Sequence, residues 1–293
     1  MHTLYDNEFE ISVTNIGAEL SSIKSIKTGK EYIWQADTSI WGSHAPVLFP
    51  IIGCLKDDFY FFNGKKYTIS KHGFIRNNND LKVIEKTKNS IEFQLINNHK
   101  TIKMYPFKFD FRIKFKIIEN KITIEHKVIN LDQTNPIYFS LGGHPAFNCP
   151  IDSNQKYADY YLEFDQSESL DRWNVSSAGL IKNDPITFLS NEKIIQLSHE
   201  LFNHDALIFK HLVSKKISLK SKKSLTKITV EFDDFNYLGI WAKPNGDFVC
   251  IEPWLGISDN ENTNNDFTKK EGIIKLLGNK EFKASYSITI DEY

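Results

Sequence analysis

Three short segments of the chain each hold an ionisable side chain beside glycine or proline. His144 follows two flexible glycines and precedes a proline, Glu252 ends an apolar run before Pro253, and His72 precedes a glycine. A proline disfavours helical backbone in the residue before it, so we expect His144 on extended backbone. We expect Pro253 to end its strand and to leave the Glu252 carboxylate partly desolvated. Two imidazoles and a carboxylate, without a metal-binding pattern, are typical of general acid–base catalysis.

Further side chains near these segments suit the recognition of a polar ring. Trp254 follows Pro253, and Phe147 lies three residues after His144. Both side chains have apolar faces of the kind that pack on a sugar ring. Arg76 lies four residues after His72 and is one of only three arginines among 36 basic residues. Its planar, bidentate donor group is suited to a pair of hydroxyl groups or to an anion.

Composition excludes several classes of protein. With 36 Lys+Arg against 37 Asp+Glu, the net charge of −1 gives no basic surface for nucleic acid. No apolar run approaches the roughly 18 residues of a membrane span, and the first residues do not have the pattern of a signal peptide. Cys54, Cys149 and Cys250 are scattered and form no disulfide pattern. We therefore expect a reduced, cytoplasmic setting, with no nucleic-acid or membrane partner.

The sequence carries no cofactor or metal signature. His199 and His204 are one residue too far apart to share a helix face in the manner of a zinc protease. No phosphate-binding or dinucleotide fingerprint is found either. The three cysteines fall near the candidate catalytic segments, but cysteine is more commonly a small buried apolar residue. We expect no cofactor and no bound metal.

Alternation of apolar and polar residues predicts an all-β chain. The clearest case runs from Phe109 to Ile117 and resumes after a turn at Glu119-Asn120, which predicts a hairpin. Asn63-Gly64 predicts another hairpin, with a type I′ turn, because both residues tolerate positive φ. A third hairpin is predicted at 81–85 with 91–96, and further strands at 9–13, 137–140, 160–164, 206–210, 216–220, 227–232, 237–241, 248–252 and 284–290.

Helical patterns are confined to residues 198–204 and 263–272. Both are too short to cross over between parallel strands, so the sheets must be mostly antiparallel. No repeat or linker divides the chain, and we predict one β-sandwich domain over residues 1–293. We expect the Asn-rich stretch 259–266 to be a solvated loop, and His126, on the apolar face of its strand, to be a hydrogen-bonded core imidazole.

Nine short motifs follow one another along nearly the whole chain. They are Asn15–Leu20, Glu31–Trp34, Pro46–Gly53, His72–Arg76, Tyr105–Phe107, Gly142–Phe147, Asp205–Leu207, Gly239–Trp241 and Ile251–Trp254. Each alone is weak, but together and in this order the set resembles the galactose mutarotase-like superfamily. Within it the chain is most similar to the LacX-like branch of the aldose 1-epimerase family.

The resemblance implies a single-domain β-supersandwich and mutarotation, the interconversion of the α and β anomers of an aldose. In that reaction Glu252 accepts the proton of the anomeric hydroxyl and His144 donates one to the ring oxygen, which opens the ring. Rotation and reclosure complete the turnover without a cofactor. The resemblance also implies that His72 contacts the ring oxygen or a neighbouring hydroxyl, and that Asp205 holds sugar hydroxyls. Arg76 and Trp254 complete the expected substrate-binding set.

One position departs from the family pattern. Relatives of galactose mutarotase carry an arginine in the loop where this chain has Cys54, and we expect Arg76 to substitute for it. Sugar-6-phosphate epimerases of the superfamily hold the phosphate with arginines. Lys56 and Lys71 are available here, but a lysine binds an anion only as a point charge. The expected substrate is therefore an unphosphorylated aldohexose.

Three other functions stay open on the sequence alone. A hexose-6-phosphate 1-epimerase would use Arg76 for the phosphate, and a non-catalytic sugar-binding or sensor protein would use the same fold without the reaction. A glycosidase with Glu252 and Asp205 as its carboxylate pair would leave the histidines without a role. The expected partner is a small sugar, and the chain is expected to be a monomer or a homodimer.

Overall fold

The computed structural model describes residues 1–292, which form 22 strands and one short α-helix. The strands are β1 (His2–Tyr5), β2 (Phe9–Val13), β3 (Leu20–Ser25), β4 (Val47–Leu48), β5 (Phe59–Phe62), β6 (Lys65–Thr68), β7 (Lys82–Lys86), β8 (Ser90–Ile96), β9 (Phe109–Ile118), β10 (Lys121–Asn130), β11 (Ile137–Phe139), β12 (Leu141–Gly143), β13 (Ala146–Asn148), β14 (Tyr160–Arg172), β15 (Ile186–Gln196), β16 (Leu207–Lys210), β17 (Lys216–Ser221), β18 (Lys227–Glu231), β19 (Tyr237–Trp241), β20 (Phe248–Leu255), β21 (Ile274–Leu276) and β22 (Glu281–Asp291). The helix α1 covers His99–Met104, and 3₁₀ turns lie at Lys56–Asp58, Tyr157–Asp159, His199–Phe202 and Phe267–Lys269. None of the helices in the described part of the chain is long and apolar enough to cross a membrane.

The largest sheet has nine strands in the order β15-β14-β17-β18-β22-β10-β9-β8-β7. Within this sheet β9 and β10 are antiparallel neighbours, from Ile118 opposite Lys121 to Phe109 opposite Asn130. The apolar residues that alternate along β9 are buried: Phe109, Phe111, Ile113, Phe115 and Ile117. Because side chains alternate across a strand, this pattern turns one face of the sheet toward the core.

A second large sheet has the order β16-β19-β20-β12-β4, and β13 also pairs with β20. All residues of β20 are buried, as expected for a short apolar run in the middle of a sandwich. Glu252 is the one charged residue of this strand. Its carboxylate therefore lies inside the protein and not at a solvated strand end.

The core is rich in aromatic rings. Phe49 lies beside Phe109, Phe111 and Phe139, with ring centroids 4.7 to 5.7 Å apart. These contacts are tilted or edge-to-face, the arrangements that aromatic pairs prefer. A smaller buried cluster, which includes Ile208 and Trp254, packs beside the six-stranded sheet.

The structure confirms the all-β class, the antiparallel pairing and the three predicted hairpins, which are β9 with β10, β5 with β6, and β7 with β8. At the predicted type I′ turn, Asn63 and Gly64 have φ of +49° and +72°. The two predicted helical segments contain only the 3₁₀ turns His199–Phe202 and Phe267–Lys269.

Two strands continue well past the ends that were predicted for them. Pro253 does not end its strand: β20 continues to Leu255, because neighbours on both sides hold it and a proline removes only its own N–H from the ladder. The strand predicted at 160–164 continues to Arg172 as β14. Its second half is mostly polar and exposed, which masks the alternation, and it pairs with β15, which was not predicted.

The stretch 259–266 was predicted to be a solvated loop, and this is wrong for residues near both of its ends. Asp259 and Asn265 are buried. The Nζ of Lys270 lies 2.8 Å from Oδ1 of Asp259, and Nδ2 of Asn265 donates to the carbonyl oxygens of Lys56 and Phe59. These bonds fix a loop that borders the site described below.

His126 lies in the core, as predicted, but without the predicted hydrogen bond. Neither ring nitrogen has a hydrogen-bond partner among residues 1–292. The imidazole stacks on Tyr286 with centroids 6.0 Å apart, and burial lowers its pKa to about 4. His126 is therefore a neutral packing residue.

Candidate active site

Glu252 projects from the central strand of the six-stranded sheet. Side chains two residues apart share a face of a strand, so Cys250, Glu252 and Trp254 point to the same side of β20. On the neighbouring strand β19, Gly239 lies opposite Glu252. A Cβ at Gly239 would lie 2.5 Å from the ring of Trp254, so this position must be glycine for the indole to lie beside the carboxylate.

His144 comes from the strands that pair with the other edge of β20, the edge opposite β19. The short strands β12 and β13 pair with β20 in one common register, in which Ala146 lies opposite Cys250. That register, continued between the two strands, brings His144 level with Glu252. The backbone N–H of His144 donates to the carbonyl oxygen of Pro46, and Nε2 of His144 lies 3.2 Å from Oε2 of Glu252.

The two glycines before His144 are needed for close packing, and not for the conformational freedom that we expected. Both lie in the extended strand β12. A Cβ at Gly142 would lie 2.7 Å from the carbonyl oxygen of Pro253, and one at Gly143 would lie 2.4 Å from the hydroxyl of Tyr286. The segment that carries His144 is therefore clamped between its neighbours.

His72 is fixed by a loop that precedes it in the chain. Its Nδ1 accepts a hydrogen bond from the N–H of Gly53 at 3.1 Å, and its own backbone N–H donates to the carbonyl oxygen of Gly53. Burial, and then the proximity of His144, lower the pKa of His72 well below its usual value. A neutral imidazole that accepts at Nδ1 carries its proton on Nε2, so His72 is an N–H donor.

These side chains surround one cavity of about 220 Å³. Sites for drug-sized ligands are usually larger, roughly 300–1,000 Å³, so the volume suits a single small polar ring. All six residues predicted from the sequence line it: His72, Arg76, His144, Asp205, Glu252 and Trp254. The remaining lining residues are Trp41, Gly53, Lys71, Val175, Gly179, Ala206, Ile208, Trp241 and Ser258.

Arg76 and Lys71 supply the positive charge of the cavity. Arg76 is half-buried, and its Nη2 donates to the hydroxyl of Ser43 at 3.3 Å. Burial lowers the pKa of Arg76, while the charges of Glu19 and Glu252 oppose that effect. Only one hydrogen bond from its guanidinium to another side chain is found in residues 1–292, so N–H groups stay available for a ligand.

Asp205 lies at the exposed rim of the cavity. Its backbone has φ of +68°, and its Oδ1 accepts a hydrogen bond from the N–H of Ala206 at 2.7 Å. Nη2 of Arg172 donates to the carbonyl oxygens of His204 and Asp205 at 2.7 and 3.4 Å. Arg172 therefore holds the turn that carries Asp205.

Two tryptophans of the site were not selected from the sequence. The indole of Trp41 stacks on the imidazole of His144, with centroids 5.1 Å apart and planes 26° apart. Trp241 meets the same imidazole edge-on at 5.9 Å. Trp241 belongs to one of the nine motifs, which could have identified it as a site residue. Trp41 lies in a loop, and no sequence pattern around it points to the site.

Phe147 was expected to pack on a sugar ring, but it lies in the core and is absent from the lining of the cavity within residues 1–292.

Cys54 turns its side chain toward a neighbouring loop. A Cβ at Gly179 would lie 2.7 Å from its Sγ, so the thiol packs against that glycine. The N–H of Cys54 donates to the hydroxyl of Ser258, which in turn donates to the carbonyl oxygen of Gly179. The cations that line the cavity are Arg76 and Lys71.

Burial dominates the protonation of the central pair. It raises the pKa of Glu252 well above its usual range, an effect that the charge of Lys71 opposes. It lowers the pKa of His144 to about 3, and the charge of Arg76 adds to this. Both shifts favour the neutral form of each group, which is the protonated carboxyl of Glu252 and the uncharged imidazole of His144. The separation of 3.2 Å between Nε2 of His144 and Oε2 of Glu252 places the two groups close enough for a proton to pass between them.

Comparison with known proteins gives a consistent result. The family model described as aldose 1-epimerase matches residues 1–271. The plasmid-encoded protein LacX of Lactococcus lactis subsp. lactis is 36% identical over 293 residues, which cover 97% of both chains.

Solved structures agree over the same length. A galactose mutarotase related enzyme from Lactobacillus acidophilus is 37% identical, with a TM-score of 0.94 over 99% of this chain and 97% of that one. A galactose mutarotase-like protein from Lactobacillus casei is 27% identical, with a TM-score of 0.92 over 99% and 100%. The chain therefore belongs to the aldose 1-epimerase family and is an isomerase of the mutarotase type.

Proposed function

We propose that the chain interconverts the α and β anomers of a free aldohexose by general acid–base ring opening and reclosure. The observation that carries the proposal is the 3.2 Å separation of His144 Nε2 and Glu252 Oε2 in a cavity sized for one sugar ring. A base and an acid in hydrogen-bond reach of one another can also reach two neighbouring oxygens of one ligand. The anomeric hydroxyl and the ring oxygen of an aldose are such a pair, because both are bonded to C1.

The reaction starts from the ionic form of the pair. The carboxylate of Glu252 accepts the proton of the anomeric hydroxyl, and the imidazolium of His144 donates its proton to the ring oxygen. The bond between C1 and the ring oxygen breaks and the C1 carbonyl forms, which leaves both protein groups neutral. Burial favours that neutral form, so it favours the state in which the sugar is open.

Rotation about the bond between C1 and C2 presents the other face of the aldehyde. On reclosure the hydroxyl that came from the ring oxygen attacks C1, returns its proton to His144, and the oxygen at C1 takes a proton from Glu252. The protein ends the cycle with the charges it had at the start. Each proton-transfer group contributes on the order of 10²–10⁴-fold to the rate.

The other cavity residues bind and orient the sugar in this proposal. His72 donates from Nε2 to the ring oxygen or a neighbouring hydroxyl, and Asp205 accepts from hydroxyls at the rim. Trp254 offers an indole N–H that is buried and has no hydrogen-bond partner among residues 1–292. Arg76 donates to a further hydroxyl pair. A cavity in which aromatic faces and convergent polar groups lie together is typical of small-ligand sites.

Polarimetry of freshly dissolved α-glucose and α-galactose tests the proposal. We expect the wild-type chain to accelerate the approach to anomeric equilibrium, and His144→Ala and Glu252→Gln each to slow it by about 10²–10⁴-fold. Glu261→Gln, at an exposed position of the 259–266 loop, is the matched control and should leave the rate unchanged. No acceleration by the wild type, or equal acceleration by the two site variants, would overturn the proposal.

A phosphorylated hexose is the second candidate, because Arg76 and Lys71 both line the cavity. It predicts strong competition by inorganic phosphate or sulfate that is lost in Arg76→Ala. The negative charges of Asp205 at the rim and of Glu252 in its ionic form oppose a dianion in the same cavity. We therefore expect only weak competition, with free sugars as the better substrates.

A further inference from the structure

A thiol lies directly beside the proposed acid–base pair. One ligand atom from each of His144, Cys250 and Glu252 can be chosen so that all three lie within 4.8 Å of one another, and all three residues are buried. Cys250 and Glu252 share a face of β20, and the register of β13 brings His144 alongside them. The thiol has no part in the proton transfers proposed above.

We propose that His144, Cys250 and Glu252 form a binding site for a thiophilic divalent metal ion, with Zn²⁺ as the type case, and that the ion switches the enzyme off. Imidazole nitrogen, thiolate sulfur and carboxylate oxygen are the three protein ligands that Zn²⁺ uses. Bond lengths of about 2.0–2.3 Å around a tetrahedral ion place ligand atoms roughly 3.3–3.8 Å apart. The His144 to Glu252 distance of 3.2 Å already fits, and because all three ligand atoms lie within 4.8 Å of one another, shifts of no more than about 1 Å complete the set.

The ligand atoms are free to bind. Within residues 1–292, Oε2 of Glu252 makes no hydrogen bond, and Nε2 of His144 lies 3.2 Å from it, so both atoms can turn toward a shared ion. Three protein ligands leave a fourth position, and both His144 and Glu252 face the cavity, where water or a hydroxyl group completes the shell. On binding, the thiol of Cys250 and any protonated Glu252 release their protons to solvent, and the imidazole gives its Nε2 lone pair to the ion.

Inhibition follows because one ion occupies both the acid and the base. This part of the inference rests on the proposed function, whereas metal binding itself does not. Cys250 separates the two, since its removal deletes a metal ligand and leaves the acid–base pair in place. The matched control is Cys149, which is also fully buried. Among the described residues, the three-ligand cluster contains Cys250 and not Cys149.

The experiment uses the full chain after treatment with a chelator, titrated with CdCl₂ and ZnCl₂. Cadmium gives an ultraviolet thiolate-to-metal charge-transfer band, and calorimetry with Zn²⁺ gives stoichiometry and affinity. We expect one ion per chain and the cadmium band in both wild type and Cys149→Ala. In Cys250→Ala the band should be lost and the dissociation constant for Zn²⁺ raised at least tenfold. Cys250→Ser, which is closer in size, repeats the test if the alanine variant unfolds.

No cadmium band in the wild type, or a band that Cys250→Ala retains, overturns the inference whatever the enzymatic activity. Mutarotation followed in parallel should be inhibited by Zn²⁺ in competition with the sugar, restored by chelator, and less sensitive to Zn²⁺ in Cys250→Ala. A chain that binds Cd²⁺ through Cys250 without accelerating mutarotation would support the metal site and overturn the proposed function. A chain that accelerates mutarotation but gives no cadmium band would support the proposed function and overturn the metal site.

Discussion

Gly53 and His72 are joined by a reciprocal pair of hydrogen bonds. The N–H of Gly53 donates to Nδ1 of His72 at 3.1 Å, and the backbone N–H of His72 donates to the carbonyl oxygen of Gly53 at 2.8 Å. The first bond decides which nitrogen of the ring carries the proton, so the loop at Gly53 makes His72 a donor toward the cavity. The function of His72 thus depends on a backbone group 19 residues away in sequence.

Two substitutions at His72 separate these roles. In His72→Asn, the amide oxygen takes the place of Nδ1 and keeps the bond from Gly53, but no donor reaches the sugar. We expect near-normal stability and a loss of kcat/KM of about 10-fold or more, since a site built around a hydrogen bond loses it. In His72→Gln, the amide N–H takes the place of Nε2 and the buried N–H of Gly53 loses its acceptor.

For His72→Gln we therefore expect partial activity and a loss of about 1–3 kcal/mol in the free energy of unfolding. Urea denaturation and polarimetry measure the two quantities. The opposite pattern, with the asparagine variant unstable and the glutamine variant stable but inactive, would show that the bond from Gly53 does not determine the role of His72.

The stack of Trp41 on His144 should matter for catalysis more than for binding. Aromatic pairs contribute about 0.5–1.5 kcal/mol beyond buried area, so loss of orientation in Trp41→Leu should lower kcat by up to about tenfold. Trp41→Phe keeps a flat ring and should retain most of the activity. Progress curves at several sugar concentrations separate kcat from KM. A rise in KM alone in Trp41→Leu would assign Trp41 to sugar contact instead.

Arg172 should act through Asp205. Its hydrogen bonds reach the carbonyl oxygens of His204 and Asp205, so Arg172→Met loosens the turn without removing the carboxylate. We expect KM to rise several-fold with kcat little changed. In the double variant with Asp205→Asn, the effect of Arg172→Met should largely disappear, because coupled residues are not additive. Additive losses would mean that Arg172 does not act through Asp205.

The buried pair of Lys270 and Asp259 should be a stability determinant of the loop beside the site. Both side chains are almost fully buried, and Nζ of Lys270 also donates to the carbonyl oxygen of Ile257. Removal of one partner leaves an uncompensated buried charge, so we expect Lys270→Met to cost about 3–5 kcal/mol in unfolding free energy. The control is Lys100→Met, which breaks an exposed pair with Asp80 and should cost no more than about 1 kcal/mol.

Urea denaturation compares these variants. Equal losses for Lys270→Met and Lys100→Met would show that the buried pair contributes no more than an exposed one.

The sequence was sufficient for the strands whose side chains alternate cleanly and for turns with a specific chemistry. The hairpin of β9 and β10 and the Asn63-Gly64 turn are local, so neighbouring residues carry all the information. The second half of β14 was not predicted, because its residues are mostly polar on both faces of the strand. The local pattern also did not indicate that Pro253 lies inside a strand, since one of the strands that hold β20 is β12, which is more than 100 residues away in sequence.

The site was predictable through its ionisable residues and through Trp254. Glycine and proline neighbours pointed to His144 and Glu252, but their contact depends on how β12 and β13 register against β20, more than 100 residues further along the chain. No local pattern encodes that pairing. The role of Arg172 was not predicted for a related reason. Arg172 binds backbone carbonyl groups, which every residue possesses, so no residue type marks its partners in the sequence.

The outer face of the nine-stranded sheet makes a prediction about acid stability. Glu231 lies between two lysines, with Oε1 2.8 Å from Nζ of Lys216 and Oε2 2.5 Å from Nζ of Lys121. The hydrogen bonds from Lys121 and then Lys216 lower the pKa of Glu231 from 4.5 to about 2. A carboxyl whose pKa is lower in the folded chain stabilises the fold above its unfolded pKa, and the contribution is lost as the pH falls through the folded value.

We therefore expect Glu231→Gln to lower the urea midpoint at pH 7, and the difference from wild type to shrink between about pH 5 and pH 2. Because the pair is partly exposed, added salt should weaken the same difference at pH 7. Glu261→Gln, in the exposed part of the 259–266 loop, controls for the loss of one negative charge and should show neither dependence. A difference between Glu231→Gln and wild type that stays constant from pH 7 to pH 2 would mean that packing of the side chain, and not its charge, stabilises this face of the sheet.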